Sequence, residues 1–331
     1  MITNYDAMIS GTGRYLPKKI LNNFDLEKIV DTSDEWIRTR TGMFERRVAA
    51  DDEANSDLAY NAAVKALESA NLKAKNIDMI IIGSVTNDHP FPSTACILMK
   101  KLGIKNIPGF DLSAGCTGWI YAMNVAKQYI ETGVHENILV VGVEILTRVT
   151  NYADRNTCIL FGDGAGAVVV SRATSKNISR FIDSELSADG THNDLLMQAA
   201  GGSKMPASKE SVEKNLHTVY MEGNKIFKLA VKSMYSVCDT VLKRNNMDIH
   251  SVDWLITHQA NMRIIEALGK RMKIDKEKVI VNIEKYGNTS AATIPIALDE
   301  VARSNKIRKG DIILMASFGA GLTSGSLLIR Y

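Results

Sequence analysis

The sequence predicts an α/β protein whose two halves share one fold. Strand-like apolar runs alternate with helical stretches along the 331 residues, which is typical of largely parallel sheets covered by helices. Elements of the first half also recur in the second half at a nearly constant spacing. The length agrees with two units, because domains of about 150 residues are common.

The repeat consists of four elements that occur in the same order in each half. An apolar strand entered through an aspartate occurs at 77–82 and again at 252–257, a glycine-containing turn occurs around 116 and around 288, and a second apolar strand occurs at 138–141 and at 312–315. Each half then closes with a glycine-rich turn before a last apolar strand, at 161–166 and 318–321. One matching strand is unremarkable in an α/β protein, but four elements in order predict a duplicated fold.

The two halves are assigned to residues 1–175 and 176–331. The segment from about 179 to 250 has no counterpart in the first half, and its turn sequence Ala200-Gly201-Gly202-Ser203 predicts an excursion loop near 185–220. Such loops often cover a binding site.

The composition excludes several classes of protein. The 40 lysine and arginine residues nearly balance the 37 acidic ones, and a net charge of +3 is too small to predict binding to nucleic acid or to an acidic membrane. The N-terminus lacks a signal sequence, and no apolar run approaches the roughly 18 residues that span a bilayer, so a cytoplasmic protein is expected. The four cysteines show no CxxC pairing, so neither disulfides nor a metal site is predicted.

Cys116 is the first candidate for a chemical role. It lies where a strand over 110–112 turns into a helix that the sequence predicts from Trp119 to Thr132. The positive end of a helix dipole stabilises a thiolate, which is the nucleophilic form of cysteine. The alternative is a small buried apolar residue, the usual role of a lone cysteine.

His258 and Asn288 are two further candidates. His258 ends an apolar strand before a helix, and Asn288 lies at another strand-to-helix turn. Taken singly, they have the alternative roles of a core histidine and a helix cap. The repeat favours chemistry, because it places Cys116 and Asn288 at equivalent points of the two halves, with His258 at a neighbouring strand end. A thiolate, an imidazole and a carboxamide at one point suit acyl transfer to sulfur.

Six motifs together resemble those of β-ketoacyl-acyl-carrier-protein synthase III, a family of condensing enzymes that start type II fatty-acid synthesis. The motifs lie at 31–37, 39–42, 113–118, 161–166, 258–261 and 285–291. The resemblance runs nearly end to end, and its Cys-His-Asn set differs from the Cys-His-His set of other relatives. It implies a thiolase-like fold of five layers, αβαβα, made of the two duplicated halves.

The resemblance also implies a reaction. Cys116 takes an acyl group from acyl-CoA, with acetyl-CoA as the expected primer, and malonyl-acyl carrier protein binds next. His258 and Asn288 donate hydrogen bonds to the malonyl thioester carbonyl during decarboxylation, and the backbone N–H groups of Cys116 and Gly321 form the other oxyanion hole. The products are 3-oxoacyl-acyl carrier protein, CoA and CO2. No resident cofactor or metal is implied.

Three sets of binding residues follow from the same resemblance. The implied CoA contacts are Thr32, Trp36, Arg40, Arg155, Gly223 and Asn261. The implied acyl pocket contains Phe318 and Phe91, and Phe91 reaches it across a homodimer. Docking of the acidic acyl carrier protein is implied at the basic residues Lys228, Arg263, Lys270 and Arg271.

Three other functions stay open at this point. An enzyme similar to 3-hydroxy-3-methylglutaryl-CoA synthase would need a glutamate base, and residues 83–88 contain none. A ketosynthase that loads an unusual starter in secondary metabolism would share the catalytic set. A non-catalytic acyl-CoA-binding paralogue would have no need of Cys116, His258 and Asn288 together.

Overall fold

The computed structural model describes residues 5–331, which form two five-stranded sheets and two short two-stranded ribbons. The strands are β1 (Ala7–Tyr15), β2 (Lys19–Asn22), β3 (Glu45–Val48), β4 (Met79–Gly83), β5 (Gly109–Leu112), β6 (Asn137–Ile145), β7 (Asp163–Arg172), β8 (Arg180–Ala188), β9 (Leu196–Gln198), β10 (Val219–Met221), β11 (Trp254–Thr257), β12 (Val279–Ile280), β13 (Ile312–Gly319) and β14 (Thr323–Arg330). The helices are α1 (Asn23–Leu26), α2 (Asp34–Thr41), α3 (Asn55–Ser69), α4 (Thr94–Leu102), α5 (Gly118–Glu131), α6 (Arg155–Cys158), α7 (Lys209–Glu213), α8 (Gly223–Arg244), α9 (Met262–Met272), α10 (Ile283–Tyr286) and α11 (Thr293–Arg303).

The two large sheets have the same strand order. The first runs β1-β7-β6-β4-β5 and the second runs β8-β14-β13-β11-β12. In each, the central strand pairs parallel with one neighbour and antiparallel with the other: β6 with β4 and β7, and β13 with β11 and β14. The predicted duplication of the fold is therefore confirmed. Residues 173–179 connect the sheets, and the division expected after residue 175 falls within that connection.

The helices form three layers around the two sheets. Helices α3 and α4 cover the outer face of the first sheet, α8 and α9 cover the outer face of the second, and α5 and α11 lie between the sheets. The core between the sheets includes Trp119 on α5, Val140 on β6 and Met315 on β13. This is the expected five-layered αβαβα arrangement. Within residues 5–331, none of the helices combines the length and the apolar composition needed to cross a bilayer.

The excursion in the second half is shorter than predicted. Strand β8 continues to Ala188 and pairs antiparallel with β14, so residues 185–188 are strand and the expectation of a loop there is wrong. The reason is that β14 offers its backbone N–H and C=O groups along this whole length, and pairing satisfies both strands. The remainder forms a short turn, the β9–β10 ribbon and α7.

Two short 3₁₀ turns lead directly into the central helices. Residues Gly115–Thr117 precede α5, and residues Ser290–Ala292 precede α11. When these turns are aligned with each other, the counterpart of Cys116 is Ala291. The predicted equivalence of Cys116 and Asn288 is therefore wrong. It was based on the similar sequences around the two residues, whereas the two helices begin at turns that align Cys116 with Ala291.

Candidate active site

The three candidate catalytic residues meet in one cavity. Cys116, His258 and Asn288 all line a cavity of about 200 Å³. They come from the turn before α5, the end of β11 and the loop after α10, respectively. The other lining side chains are mostly apolar, and Phe318, expected in the acyl pocket, is one of them. Ribbon β9–β10 contributes part of the wall, so the excursion of the second half does cover this site.

The surroundings of Cys116 favour the thiol over the thiolate. Burial raises the pKa of Cys116 to about 12; contact with the Ser290 hydroxyl opposes this rise and the Glu144 charge adds to it. The residue keeps partial exposure, which is directed to the cavity that it lines. Burial therefore opposes the thiolate that a helix N-terminus would stabilise, and the expected thiolate stays a prediction.

Glu144 and Ser290 belong to the site but were not among the candidates. Glu144 lies near the end of β6 and is completely buried. Its oxygens accept hydrogen bonds from the Ser84 hydroxyl, the Val85 N–H and Thr86, and the Ser290 Oγ donates to Oε1 at 3.1 Å. The signal in the sequence is one acidic residue inside an apolar strand. A buried carboxylate of this kind needs several donors around it.

His258 is a neutral imidazole. Only 3% of the residue is exposed, and burial lowers the pKa of His258 to about 3. Its backbone N–H donates to the Ala316 carbonyl at 2.8 Å, which fixes the residue at the end of β11 beside β13. Among the described residues, Nδ1 has no hydrogen-bond partner. A neutral ring supplies one N–H donor and does not bring a positive charge into the cavity.

Asn288 is held by bonds at both its backbone and its side chain. Its backbone N–H donates to the Leu160 carbonyl at 2.9 Å, and its carbonyl accepts from the Gly162 N–H at 3.0 Å. Its Oδ1 accepts from the Ser290 N–H at 2.9 Å. The side chain therefore does stabilise a turn, as the capping alternative suggested, and this contact leaves the Nδ2 group as the donor that is free for the cavity.

The end of β13 approaches the cysteine turn closely. A Cβ atom on Gly319 would lie 2.4 Å from the Cys116 nitrogen, and a Cβ atom on Gly115, whose φ is 55°, would lie 2.6 Å from the Ala320 nitrogen. Ala320 therefore lines the cavity beside Cys116. Gly321, implied as an oxyanion donor, is not among the described residues that line it, so that role stays a prediction.

Replacing Gly319 with alanine is expected to slow acylation of Cys116 by about 10²-fold. The added Cβ forces the end of β13 and the cysteine turn apart, and a displacement of about 1 Å at a reacting group has an effect of this size. Single-turnover acylation followed by intact mass measures it. The matched control is Gly202→Ala, because a Cβ there meets nothing within 4 Å. An unchanged acylation rate in Gly319→Ala would contradict the close approach.

Trp36 and Arg155, the implied adenine contacts, already lie against each other. The Arg155 guanidinium carbon is 4.9 Å from the Trp36 ring centre, and that of Arg40 is 5.7 Å from it. Arg155 also donates to the Asp31 carbonyl at 3.1 Å. A purine between Trp36 and Arg155 would therefore have to displace the guanidinium. The Thr32 hydroxyl oxygen is buried without a partner among the described residues.

The other implied binding residues differ in their exposure and in whether their polar groups already form hydrogen bonds within the chain. Asn261 caps α9, because its Oδ1 accepts from the Arg263 N–H at 2.9 Å, while its Nδ2 donates to the Arg40 carbonyl at 3.1 Å. Both ends of its amide are thus used within the chain. Gly223 is exposed at the start of α8. Phe91 is 85% exposed and lies outside the set of described residues that line the cavity, so its contribution to a partner's pocket stays a prediction.

The four basic residues implied in carrier-protein docking are exposed on two helices that pack together. Lys228 lies on α8 and Arg263, Lys270 and Arg271 lie on α9. The Arg263 guanidinium lies 5.6 Å from the ring centre of Phe227, the neighbour of Lys228. The structure thus brings Lys228 and Arg263 to one surface.

Comparison with known proteins identifies a family. Two family models, 3-oxoacyl-[acyl-carrier-protein (ACP)] synthase III and its C-terminal counterpart, match residues 110–190 and 242–331. The chain is 56% identical over 325 residues to the β-ketoacyl-[acyl-carrier-protein] synthase III of Caldanaerobacter subterraneus subsp. tengcongensis, with 98% of each chain covered. It is 48% identical over 328 residues to the protein of the same name from Clostridioides difficile, with 99% of each covered.

The fold leads to the same family. The crystal structure of 3-oxoacyl-[acyl-carrier-protein] synthase III from Aquifex aeolicus VF5 matches with a TM-score of 0.91 and 47% identity, over 98% of this chain and 100% of that chain. The fold class and the family expected from the sequence are both confirmed. The chain therefore belongs to the β-ketoacyl-acyl-carrier-protein synthase III family, the acyltransferases that initiate fatty-acid synthesis.

Proposed function

We propose that this enzyme condenses a short acyl-CoA primer, with acetyl-CoA as the expected one, with malonyl-acyl carrier protein. The observation that carries the proposal is the meeting of a thiol, a neutral imidazole and a carboxamide in one largely apolar cavity. The thiol supplies a covalent carrier for the acyl group, and the two N–H donors suit a developing enolate. The products are 3-oxoacyl-acyl carrier protein, CoA and CO2.

In the first half-reaction, the Cys116 sulfur attacks the thioester carbonyl of acyl-CoA. The tetrahedral intermediate places its negative oxygen near the backbone N–H groups beside Cys116, and CoA leaves as the acyl group stays on sulfur. The CoA moiety is proposed to extend towards Trp36, which belongs to the same apolar cluster as the cavity residues Val149 and Met221. The buried hydroxyl of Thr32 supports a ligand at this end.

In the second half-reaction, loss of CO2 from the malonyl group generates an enolate that attacks the acyl-Cys116 carbonyl. His258 and Asn288 each donate one N–H to the enolate oxygen. No base is needed to remove a proton from carbon, which agrees with a His258 ring whose pKa is about 3. The apolar walls exclude water, so the enolate reacts with the thioester before it is protonated.

Two further features belong to the proposal. The enzyme is proposed to be a homodimer in which the exposed Phe91 closes the partner's acyl pocket, and the bulk of this side chain favours short primers. The basic residues Lys228 on α8 and Arg263, Lys270 and Arg271 on α9 are proposed to attract acyl carrier protein. A cytoplasmic location is proposed because CoA thioesters and carrier proteins are cytoplasmic substrates.

An equimolar panel of acetyl, propionyl, branched and medium-chain acyl-CoAs tests the proposal. Intact mass and peptide mapping are expected to show one acyl group, mainly acetyl, on Cys116. Addition of malonyl-acyl carrier protein is expected to remove that adduct as the 3-oxoacyl product forms, and light scattering of the same sample is expected to give a dimer. Absence of an adduct with every acyl-CoA, or an adduct on another cysteine, would contradict the proposed reaction; a monomer would contradict the role of Phe91.

A further inference from the structure

Cys116, Ser290 and Glu144 form a continuous line of polar groups leading from the cavity into the protein. Cys116 and Ser290 both line the cavity, their two 3₁₀ turns pack against each other, and the Ser290 hydroxyl lowers the pKa of the thiol. The same Ser290 Oγ donates to the Glu144 Oε1 at 3.1 Å. The position of Ser290 is fixed by its own N–H, which donates to the Asn288 Oδ1 at 2.9 Å. One hydroxyl therefore connects the thiol to a buried carboxylate.

The groups around Glu144 suit a carboxylate that gains and loses a proton. The Ser84 hydroxyl, the Val85 N–H and the Thr86 N–H and hydroxyl donate to it. In residues 5–331 no lysine, arginine or histidine forms an ion pair with it. Asp163 on the adjacent strand β7 directs its carboxylate to Thr147 and to the Ala49 N–H. The neutral His258 and the Cys116 thiol are the remaining titratable groups of the cavity.

We propose that Ser290 and Glu144 form the path by which the proton of the Cys116 thiol leaves during acylation, and that Glu144 holds this proton until condensation is complete. The inference rests on the proposed function in one respect, that Cys116 is the residue acylated. Ser290 touches the reacting sulfur, whereas Glu144 acts through Ser290 as the positioning and proton-holding residue.

The protons balance over the two half-reactions. As the sulfur attacks acyl-CoA, its S–H proton moves to the Ser290 oxygen and the Ser290 proton moves to Glu144. The C–S bond to CoA breaks, and CoA leaves as a thiolate that takes a proton from solvent. When the enolate attacks acyl-Cys116, the cysteine leaves as a thiolate. Glu144 then returns its proton through Ser290, which restores the thiol and the carboxylate for the next cycle.

The electrostatics of the pair agree with a single proton shared between them. Burial raises the pKa of Glu144 to about 7, although the surrounding donors lower it, and burial with the Glu144 charge raises the pKa of Cys116 to about 12. A thiolate beside an ionised Glu144 would place two negative charges in a dry site. A thiolate beside a protonated Glu144 places only one negative charge there. Moving the proton through Ser290 to Glu144 therefore forms the nucleophilic thiolate with the smaller rise in free energy.

The pH dependence of Cys116 alkylation by iodoacetamide tests the proposal without acyl-CoA or carrier protein. In the unmodified enzyme, the rate is expected to rise with pH to about 7, where Glu144 becomes able to accept a proton, and then to level off. In Glu144→Gln, log rate is expected to rise with pH without levelling, because the thiol then loses its proton only to solvent. Peptide mapping assigns the reaction to Cys116.

Ser290→Ala tests the path separately, because it leaves the carboxylate in place. Its alkylation rate on the plateau is expected to fall by about 10-fold or more, since the thiolate loses a charge-assisted hydrogen bond. Ser84→Ala is the matched control: it also removes a hydroxyl from Glu144, but on a side that does not lead to the thiol. Ser84→Ala is expected to shift the midpoint of the alkylation profile to higher pH, because it removes a donor that lowers the pKa of Glu144. It is expected to keep the plateau rate within about threefold.

Two results would overturn the proposal: a Glu144→Gln profile that levels off like that of the unmodified enzyme, or a Ser290→Ala plateau rate that is unchanged. Thermal unfolding of each variant identifies any loss of fold, and Ser290→Ala, which only deletes an oxygen, keeps the test decisive if Glu144→Gln does not fold. If the alkylation profiles are as expected and no acyl-CoA modifies Cys116, the proposed function and the role of the path in acylation both fail, and only the proton transfer from Cys116 to Glu144 stands.

Discussion

A Cys116→Ala variant is expected to lose acylation and condensation while it still decarboxylates malonyl-acyl carrier protein. Removal of the sulfur leaves the acyl group without a covalent carrier, and the rate of condensation is expected to fall by about 10⁴-fold or more, the scale found when a nucleophile is deleted. Decarboxylation depends on the donors of His258 and Asn288, which lie on other elements of the cavity and stay in place.

Three measurements on the same samples separate these steps. Intact mass after acyl-CoA addition reports acylation, release of labelled CO2 reports decarboxylation, and mass analysis of the carrier protein reports condensation. Cys96→Ala is the matched control, because Cys96 is an exposed thiol on α4 and is expected to leave all three rates within about twofold. Condensation by Cys116→Ala within about tenfold of the unmodified rate would rule out the covalent mechanism.

His258→Ala and Asn288→Asp are expected to give the opposite pattern. Each removes one N–H donor from the enolate oxygen, and loss of one such donor slows a reaction by about 10²–10³-fold. The aspartate variant keeps the oxygen that accepts from the Ser290 N–H, so the local turn is preserved while a donor becomes an acceptor. For His258→Ala, acylation of Cys116 is expected to stay within about tenfold, because the first half-reaction does not use the imidazole.

The pH dependence of decarboxylation gives an independent check. Because burial lowers the pKa of His258 to about 3, the ring becomes charged only as the pH falls through that value. Between about pH 5 and 8, where an ordinary histidine titrates, decarboxylation is expected to show no change assignable to His258. The exposed His250→Ala variant is the matched control. A decarboxylation rate that follows a group of ordinary histidine pKa, and loses this dependence in His258→Ala, would contradict a neutral imidazole.

The fold could be predicted from the sequence to the level of its sheets and layers. Apolar strands of the first half recur in the second half at a nearly constant spacing, so the sequence shows that the fold is duplicated. Details that depend on the geometry of the folded chain could not be predicted in this way. The letters around Asn288 resemble those around Cys116, yet the turn that begins α11 starts at Ser290. Similarly, residues 185–188 lack a continuous apolar run and are strand because β14 lies beside them.

The meeting of Cys116, His258 and Asn288 at one point could also be predicted, but the direction of the pKa shift at Cys116 could not. A cysteine before a helix predicts a lowered pKa, whereas the structure surrounds the sulfur with apolar groups and a carboxylate, which raise it. Glu144 was not among the candidates although it is the one acidic residue of an apolar strand, because the sequence does not show that its carboxylate lies beside Ser290. Ala320 escaped notice as a cavity-lining residue because the close approach of β13 to the cysteine turn depends on the folded backbone and not on the residue type.

The position of α5 and α11 between the two sheets determines how activity arises during folding. One continuous core joins both sheets to these helices, so neither half buries its inner face without the other. The proposed nucleophile Cys116 belongs to one half, and the proposed enolate donors His258 and Asn288 belong to the other. The two halves therefore form one cooperative unit, and the complete site exists only after they have docked. A partly folded chain therefore does not bring Cys116 together with His258 and Asn288, and under the proposed function it would not consume acyl-CoA or malonyl thioesters unproductively.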